Sequence, residues 1–377
     1  MKSIKIVHCA DIHFDTPFRD VNNKLSKINK EELKEVFSSI INLCKKNQVD
    51  VLLLAGDIFD NLTIEKDTLS FLEKSFVDIS NTKVFISPGN HDPYMVNSFY
   101  KLIRWPENVH IFSGDLEYVF IKELNLNVWG AAFNERYVKR SMLEGFVHNS
   151  LGEINIMVIH GELSNGTENE YNPIMVEEIG KSGMNYIALG HRHNYSGINR
   201  EDKTYYAYCG CPQGRGFDET GEKGIIYGEI SGEFFKFEFV KMCKRQYEEV
   251  RIDISNVETY QELRNLIKET VKEEDRERNF YKIILIGEVS KEFNIDEKFI
   301  SDYLKDDFYF IKIVDKTKVR IDFEEISKGY SVRSIFVKKL LSRLEEAKND
   351  EEREVIEKAL KLGLNALAEG EVNLDDY

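Results

Sequence analysis

Short apolar runs alternate with stretches of helical periodicity from the first residues onward, and this alternation restricts the chain more than any other feature. Residues 4 to 10 form an apolar run, and over 31 to 47 Leu33, Val36, Phe37, Ile40, Ile41 and Cys44 recur at the spacing of one helix face. Val49 to Ala55 is the next run, Glu65 to Ile79 the next helical stretch, and Lys83 to Ser87 the run after that. Parallel strands need long crossovers and bury both faces, so this order predicts an α/β protein with a largely parallel, buried sheet.

Further strand-like runs at Asn127 to Ala132, Ile154 to Ile159, Tyr186 to Leu189, Thr204 to Cys209, Ile225 to Ile230 and Phe234 to Val240 are too many for one sheet. Two packed mixed β-sheets flanked by helices are therefore expected, ending near Met242. Residues 247 to 317 then read strand, helix, strand, helix, strand, a small α/β unit. Beyond it, Val332, Ile335, Phe336, Leu340 and Leu344 share one helical stripe, and Val355, Ile356, Ala359, Leu360 and Leu367 another. Asn349 with Glu352 forms a capping-box pattern between them, which predicts a C-terminal helical hairpin. The expected domains are 1–243, 244–326 and 327–377.

The chain has 377 residues and a formal net charge of −15, with the acidic excess in both halves. Such a surface repels phosphate backbones, so any nucleic-acid role must lean on bound cations, local patches or a partner. The five cysteines are odd in number and scattered, which suits reduced thiols in a cytoplasmic protein. Charged Asp11 interrupts the first apolar run, and no stretch of about 18 apolar residues occurs, so neither an export signal nor a membrane span is expected.

Five short segments carry chemistry, each following an apolar run: Asp11-Ile12-His13, Gly56-Asp57-Ile58-Phe59-Asp60, Gly89-Asn90-His91-Asp92, His160-Gly161 and Gly190-His191-Arg192-His193. Singly, each is compatible with an ordinary turn or a structural histidine. Together they matter, because loops beyond the carboxyl ends of strands in an open α/β sheet face a common crevice. Their oxygen and imidazole donors suit first-row divalent metals and are poor for calcium. A carboxylate bridging two such ions roughly 3.5 to 4 Å apart favours in-line attack at phosphorus.

The order D-x-H, G-D-x-x-D, G-N-H-D, H, G-H-x-H resembles the calcineurin-like metallophosphoesterase superfamily, and within it the SbcD-type DNA repair nucleases. The stretches Asp11 to Phe18 and Gly210 to Gly221 resemble the YhaO-like subgroup in particular. The resemblance implies a metallophosphoesterase sandwich in which Asp11, His13 and His193 hold one metal, Asn90, His160 and His191 the other, and Asp57 bridges them. His91 would stand beside the metals as proton donor or transition-state stabiliser, with Asp92 as its orienting partner. Two divalent ions are implied, manganese first, with iron or zinc as alternatives.

Where phosphoprotein phosphatases carry Arg-Gly after the second aspartate, this chain has Asn61-Leu62, which argues against phosphoprotein substrates. Arg192 and Arg215 remain as candidate phosphate contacts, with salt bridges as the plain alternative for each. The expected function is a DNA exonuclease or endonuclease working with an SbcC-type ATPase bearing a coiled coil, with a homodimer as a further expectation. The alternative is a phosphodiesterase or phosphomonoesterase for a small nucleotide or phosphorylated metabolite. Phe234, Phe235, Phe237 and Phe239 invite thoughts of base stacking, but packing is the default for such a strand.

Overall fold

The computed structural model describes residues 3–61, 64–149, 152–166, 169–231 and 234–369. The first strand, β1 (Ile4–Cys9), leads to α1 (Asn23–Asn47), β2 (Val51–Leu54), α2 (Lys66–Asp78), β3 (Lys83–Ile86) and β4 (Val109–Ile111). Helix α1 starts earlier than its apolar periodicity, because Asn22 accepts hydrogen bonds from the Lys24 and Leu25 amides and so satisfies two free N–H groups of the first turn.

A second sheet follows, from β5 (Glu117–Ile121), β6 (Leu126–Gly130), β7 (Ile154–His160), β8 (Tyr186–Gly190), β9 (Asn199–Glu201) and β10 (Thr204–Tyr208). The chain then returns to the first sheet with β11 (Gly224–Ile230) and β12 (Phe235–Lys241). The strand orders are β12-β11-β1-β2-β3-β4 and β9-β10-β8-β7-β6-β5. Strands β1 to β4 run parallel, whereas β11 is antiparallel to both β1 and β12. In the second sheet β6, β7, β8 and β10 are parallel and the two outermost pairs antiparallel. Two packed mixed sheets with helices outside are thus present.

The side-chain alternation explains the layering. Ile6, Val51 and Leu53 pack with Ile156, Val158 and Ala188 between the sheets, while Val7, Leu52 and Leu54 pack with Phe37, Ile40 and Phe76 of α1 and α2. Both faces of β2 are therefore buried, as its unbroken apolar sequence requires. Phe235 and Phe237 pack against Tyr186 and Tyr205 in the core between the sheets, so these rings serve packing.

A separate parallel sheet holds β13 (Tyr247–Asp253), β14 (Phe280–Ile286) and β15 (Phe310–Asp315), covered by α3 (Tyr260–Thr270) and α4 (Glu297–Leu304). It touches the large unit through Phe217 on Tyr247 and through Arg245 paired with Glu32 of α1 at 2.9 Å. The chain closes with α5 (Val332–Glu346) and α6 (Asp350–Glu369). Asn349 caps α6 by accepting from the Glu352 amide at 2.8 Å, and Glu352 reaches back to the amide of Lys348 rather than that of Asn349.

The hairpin departs from its expected stripe. Among the described side chains Val337, Leu360 and Leu364 are its buried apolar residues, with Phe336, Leu340 and Leu341 around them, whereas Val332, Ile335, Val355 and Leu367 are exposed. Among the described residues no helix is long and apolar enough to cross a membrane.

Candidate active site

The parallel strands end on one edge of the sandwich, and the five segments meet there. Asp11, His13, Asp57 and His160 are buried, Asn90 nearly so, and His191 and His193 stand at the rim. Asp11, His13 and Asp57 have φ near +50° and His191 has φ of 114°, a left-handed backbone that costs of order 1 to 3 kcal/mol per non-glycine residue. Strain concentrated on these residues marks the site as one held in place by the sheets beneath it.

The first cluster is Asp11, His13 and His193, whose donor atoms lie within 4.8 Å of one another. The Asp11 carboxylate accepts from the His191 amide at 3.0 Å, and one of its oxygens is 3.9 Å from Nε2 of His193. The second cluster centres on Oδ1 of Asn90, 2.9 Å from Nε2 of His160 and 3.2 Å from Nδ1 of His191. Oδ2 of Asp57 stands between them, 3.7 Å from Nε2 of His13 and 3.4 Å from Nε2 of His160. Its other oxygen accepts from the His91 amide at 2.9 Å.

The protonation pattern tests whether these residues suit cations. Nδ1 of His160 contacts the Ala55 carbonyl at 2.9 Å; a carbonyl only accepts, so Nδ1 carries the hydrogen and Nε2 presents a lone pair. That lone pair faces the oxygens of Asn90 and Asp57, and burial lowers the His160 pKa to about 4, so no proton intervenes at neutral pH. Both ring nitrogens of His13 are buried without a hydrogen-bond partner, and burial holds this ring well below the ordinary imidazole range. Burial likewise lowers His191 to about 4. Meanwhile it pushes Asp11 up to about 7 and raises Asp57. Neutral imidazoles and undercompensated carboxylates converging on shared points are what divalent cations would satisfy.

Several supporting groups are legible only in three dimensions. Nδ1 of His193 meets Glu219 at 2.7 Å, and although burial works against the imidazolium, Glu219 and Asp11 raise this histidine's pKa. Glu219 is itself buried and was not singled out by sequence; its one signal was its place in the Gly210 to Gly221 stretch. Arg215 lies between Glu219 and Asp60, 3.2 Å from the latter, and 3.1 Å from Nδ1 of His193. Arg192 is half-exposed, pairs with Glu162 and lies over the Tyr208 ring at 5.4 Å. Both arginines are thus tied to carboxylates.

Asp92 does not orient His91. Its carboxylate accepts from the amides of Ile58 at 2.7 Å and Gly89 at 2.8 Å, and from the Tyr100 hydroxyl at 2.6 Å. It therefore shapes the loop that carries Asp57. Nδ1 of His91 instead contacts the backbone carbonyl of Asp60 at 2.8 Å. Sequence adjacency misled here because the chain bends at residues 90–92, which turns Asp92 towards the 57–59 amides and His91 towards the Asp60 carbonyl.

Sandwich and clustered donors together define a metallophosphoesterase. The calcineurin-like phosphoesterase family matches residues 4–205, more than half of the chain, and the chain belongs to that family. Members of it bind two divalent ions in a dinuclear site. The chain is similar to the uncharacterized metallophosphoesterase YhaO of Bacillus subtilis (strain 168), with 28% identity over 280 residues, 72% of this chain and 68% of that one. More distant are the SbcD component of the SbcCD nuclease of Staphylococcus saprophyticus, 24% identical over 63% of this chain and 69% of that one, and the DNA double-strand break repair protein Mre11 of Aeropyrum pernix, 23% identical over 67% and 64%.

Proposed function

We propose that this chain is a two-metal phosphodiesterase that cuts DNA. The observation that carries the reading is Oδ2 of Asp57, set between the His13 and His160 rings at 3.7 and 3.4 Å. Asp11, His13 and His193 would hold one ion and Asn90, His160 and His191 the other, with Asp57 placed to serve both. Manganese is the first choice, with iron or zinc accommodated by the same donors. When bound, the ions offset the charge of a phosphoryl transition state and make water more acidic.

The remaining chemistry belongs to the chain. His91 donates Nδ1–H to the Asp60 carbonyl, which leaves Nε2 to hold or pass a proton at the leaving oxygen. Arg215 and Glu219 fix His193, so Arg215 acts as a positioning residue. Arg192 reaches a phosphate only by giving up part of its contact with Glu162. The unit around β13 to β15 borders the site through the loop carrying Phe217, and we assign it as a cap. The exposed apolar residues of the hairpin, with the subunit designation carried by the SbcCD relatives, support docking to a partner subunit, for which the resemblance to SbcD-type nucleases implies an ATPase with a coiled coil.

The net charge of −15 favours a second reading, a phosphodiesterase for small nucleotides, because an acidic chain gains little from a long phosphate backbone. Purified protein with manganese is incubated with labelled single- and double-stranded DNA, an aryl phosphodiester and an aryl monoester. DNA cleavage that needs manganese supports the proposal. Diester hydrolysis without DNA cleavage leaves the second reading, and no diester hydrolysis overturns both.

A further inference from the structure

The rim of the site continues outward as a row of aromatic rings. The Tyr171 ring lies 5.0 Å from the His191 ring, centre to centre, tilted by 33°, and the Tyr137 ring lies 5.7 Å beyond Tyr171. Tyr137 is 45% exposed, although it stands beside the centre of the molecule's chemistry. It borders a cleft of about 730 Å³ whose wall also includes Asn134, Lys139, Arg140 and Met142.

The rings are held in register with the metal ligands by backbone. The Val138 amide donates to the Glu170 carbonyl at 2.8 Å, and the Asn172 amide donates to the Val138 carbonyl at 2.7 Å. Buried Asn172 also donates from its side chain to the carbonyl of His160 at 2.7 Å and accepts from the Met142 amide at 2.7 Å. The loop carrying Tyr137 is thereby fixed to the strand end that carries a proposed ligand. A ring so anchored and still exposed loses little conformational freedom when something stacks on it.

The cleft and its rim carry charge of both signs. Arg136 and Arg140 are exposed, and among the described residues neither has a carboxylate partner; the guanidinium of Arg136 lies 5.8 Å from the Tyr137 ring centre. Asp115, Glu135 and Glu144 share the cleft, so it is not a track for a phosphate backbone. It combines a π face with exposed cations, the chemistry that receives an unpaired base.

We propose that Tyr171 and Tyr137 form a stacking platform for a nucleobase beside the phosphate under attack, so that the preferred substrate has unpaired bases at that position. This rests on the phosphodiesterase reading above but is tested separately from it. A base inside a duplex already has both faces covered, and unstacking it costs energy. Single strands, frayed ends and flaps meet the platform without that cost.

The test measures binding of a fluorescently labelled oligothymidylate with hydrolysis-resistant phosphorothioate linkages, and of an abasic oligonucleotide of equal length and linkage, to the full chain in the presence of manganese. Wild type is expected to bind the base-bearing strand about tenfold more tightly, the scale of one base stacked on one ring. Tyr137→Ala should remove most of that preference and Tyr137→Phe should retain it, while binding of the abasic strand stays unchanged in both. Equal affinity for the two strands, no measurable binding of either, or equal losses for both strands in Tyr137→Ala each overturns the platform. Manganese-dependent cleavage of the same sequences with ordinary phosphodiester linkages is then assayed. A base preference in binding without cleavage leaves the platform standing and removes the nuclease reading.

Discussion

His8 lies fully buried in β1, with Nδ1 2.8 Å from the Tyr186 hydroxyl and Nε2 3.1 Å from the Leu189 carbonyl, and so joins the two sheets. Burial lowers its pKa to about 3. In the unfolded chain this histidine takes up a proton below about pH 6.5, whereas the folded protein refuses it until far lower pH. Stability is therefore lost as pH falls through that window, by about 1.4 kcal/mol per unit. His8→Gln is expected to flatten the acid slope of the unfolding free energy between pH 6 and 4 by about that amount; identical slopes would mean that His8 titrates normally in the fold. Gly89 illustrates a different constraint, since a Cβ there would lie 2.3 Å from an oxygen of Asp57. Gly89→Ala should therefore strip bound metal as Asp57→Asn does, with unchanged circular dichroism, and full metal content in the alanine variant would refute the close packing. His91→Ala should keep its metal and lose at least tenfold in turnover if, as proposed, His91 acts on a proton and not as a ligand. Metal analysis of that variant decides between the two roles.

Among the elements, the C-terminal hairpin stands apart energetically. Its buried apolar residues are Val337, Leu360 and Leu364, a small core beside the large ones that flank β1 and β2. Among the described residues, the ion pair of Lys361 with Glu288 at 2.6 Å ties it to the small α/β unit, and a partly exposed pair contributes on the order of 1 kcal/mol or less. The hairpin should thus open as its own unit before the sandwich unfolds. Leu360→Ala removes about 2 to 5 kcal/mol from a buried leucine site. It is expected to erase hydrogen-exchange protection across residues 332–369 while protection in β1, β2 and β7 persists. Protection lost evenly over the chain would show the hairpin to be part of the main cooperative unit. The sequence stripe marked α5 and α6 as amphipathic, but its register was only partly right: Val337 faces inward while Val332 and Ile335 face water.

For the whole molecule, the metals and the fold depend on one another. Asp11 and Asp57 are buried carboxylates raised by burial, and without cations the folded state bears that cost. Manganese added to chelated protein should raise the melting temperature on the order of 5 °C at saturation, and Asp57→Asn should shrink the rise. Calorimetry at graded manganese concentrations reads this directly; a melting temperature indifferent to manganese would sever the site from stability.

The sequence alone determined the α/β sandwich, the order of its early strands and the motifs that carry Asp11, His13, Asp57, Asn90, His160, His191 and His193, which the fold brings to one edge of the sandwich. These are short-range patterns: apolar runs give buried strands, and polar residues directly after them fall on one edge of a parallel sheet. Only the tertiary structure decided that Glu219 supports His193, that Asp92 serves the loop of Asp57 and not His91, and that β11 and β12 return to the first sheet. Each of these depends on contacts between residues distant in sequence or on the direction a side chain takes within a loop. Periodicity specifies which face of an element is apolar, but not which other element will cover it.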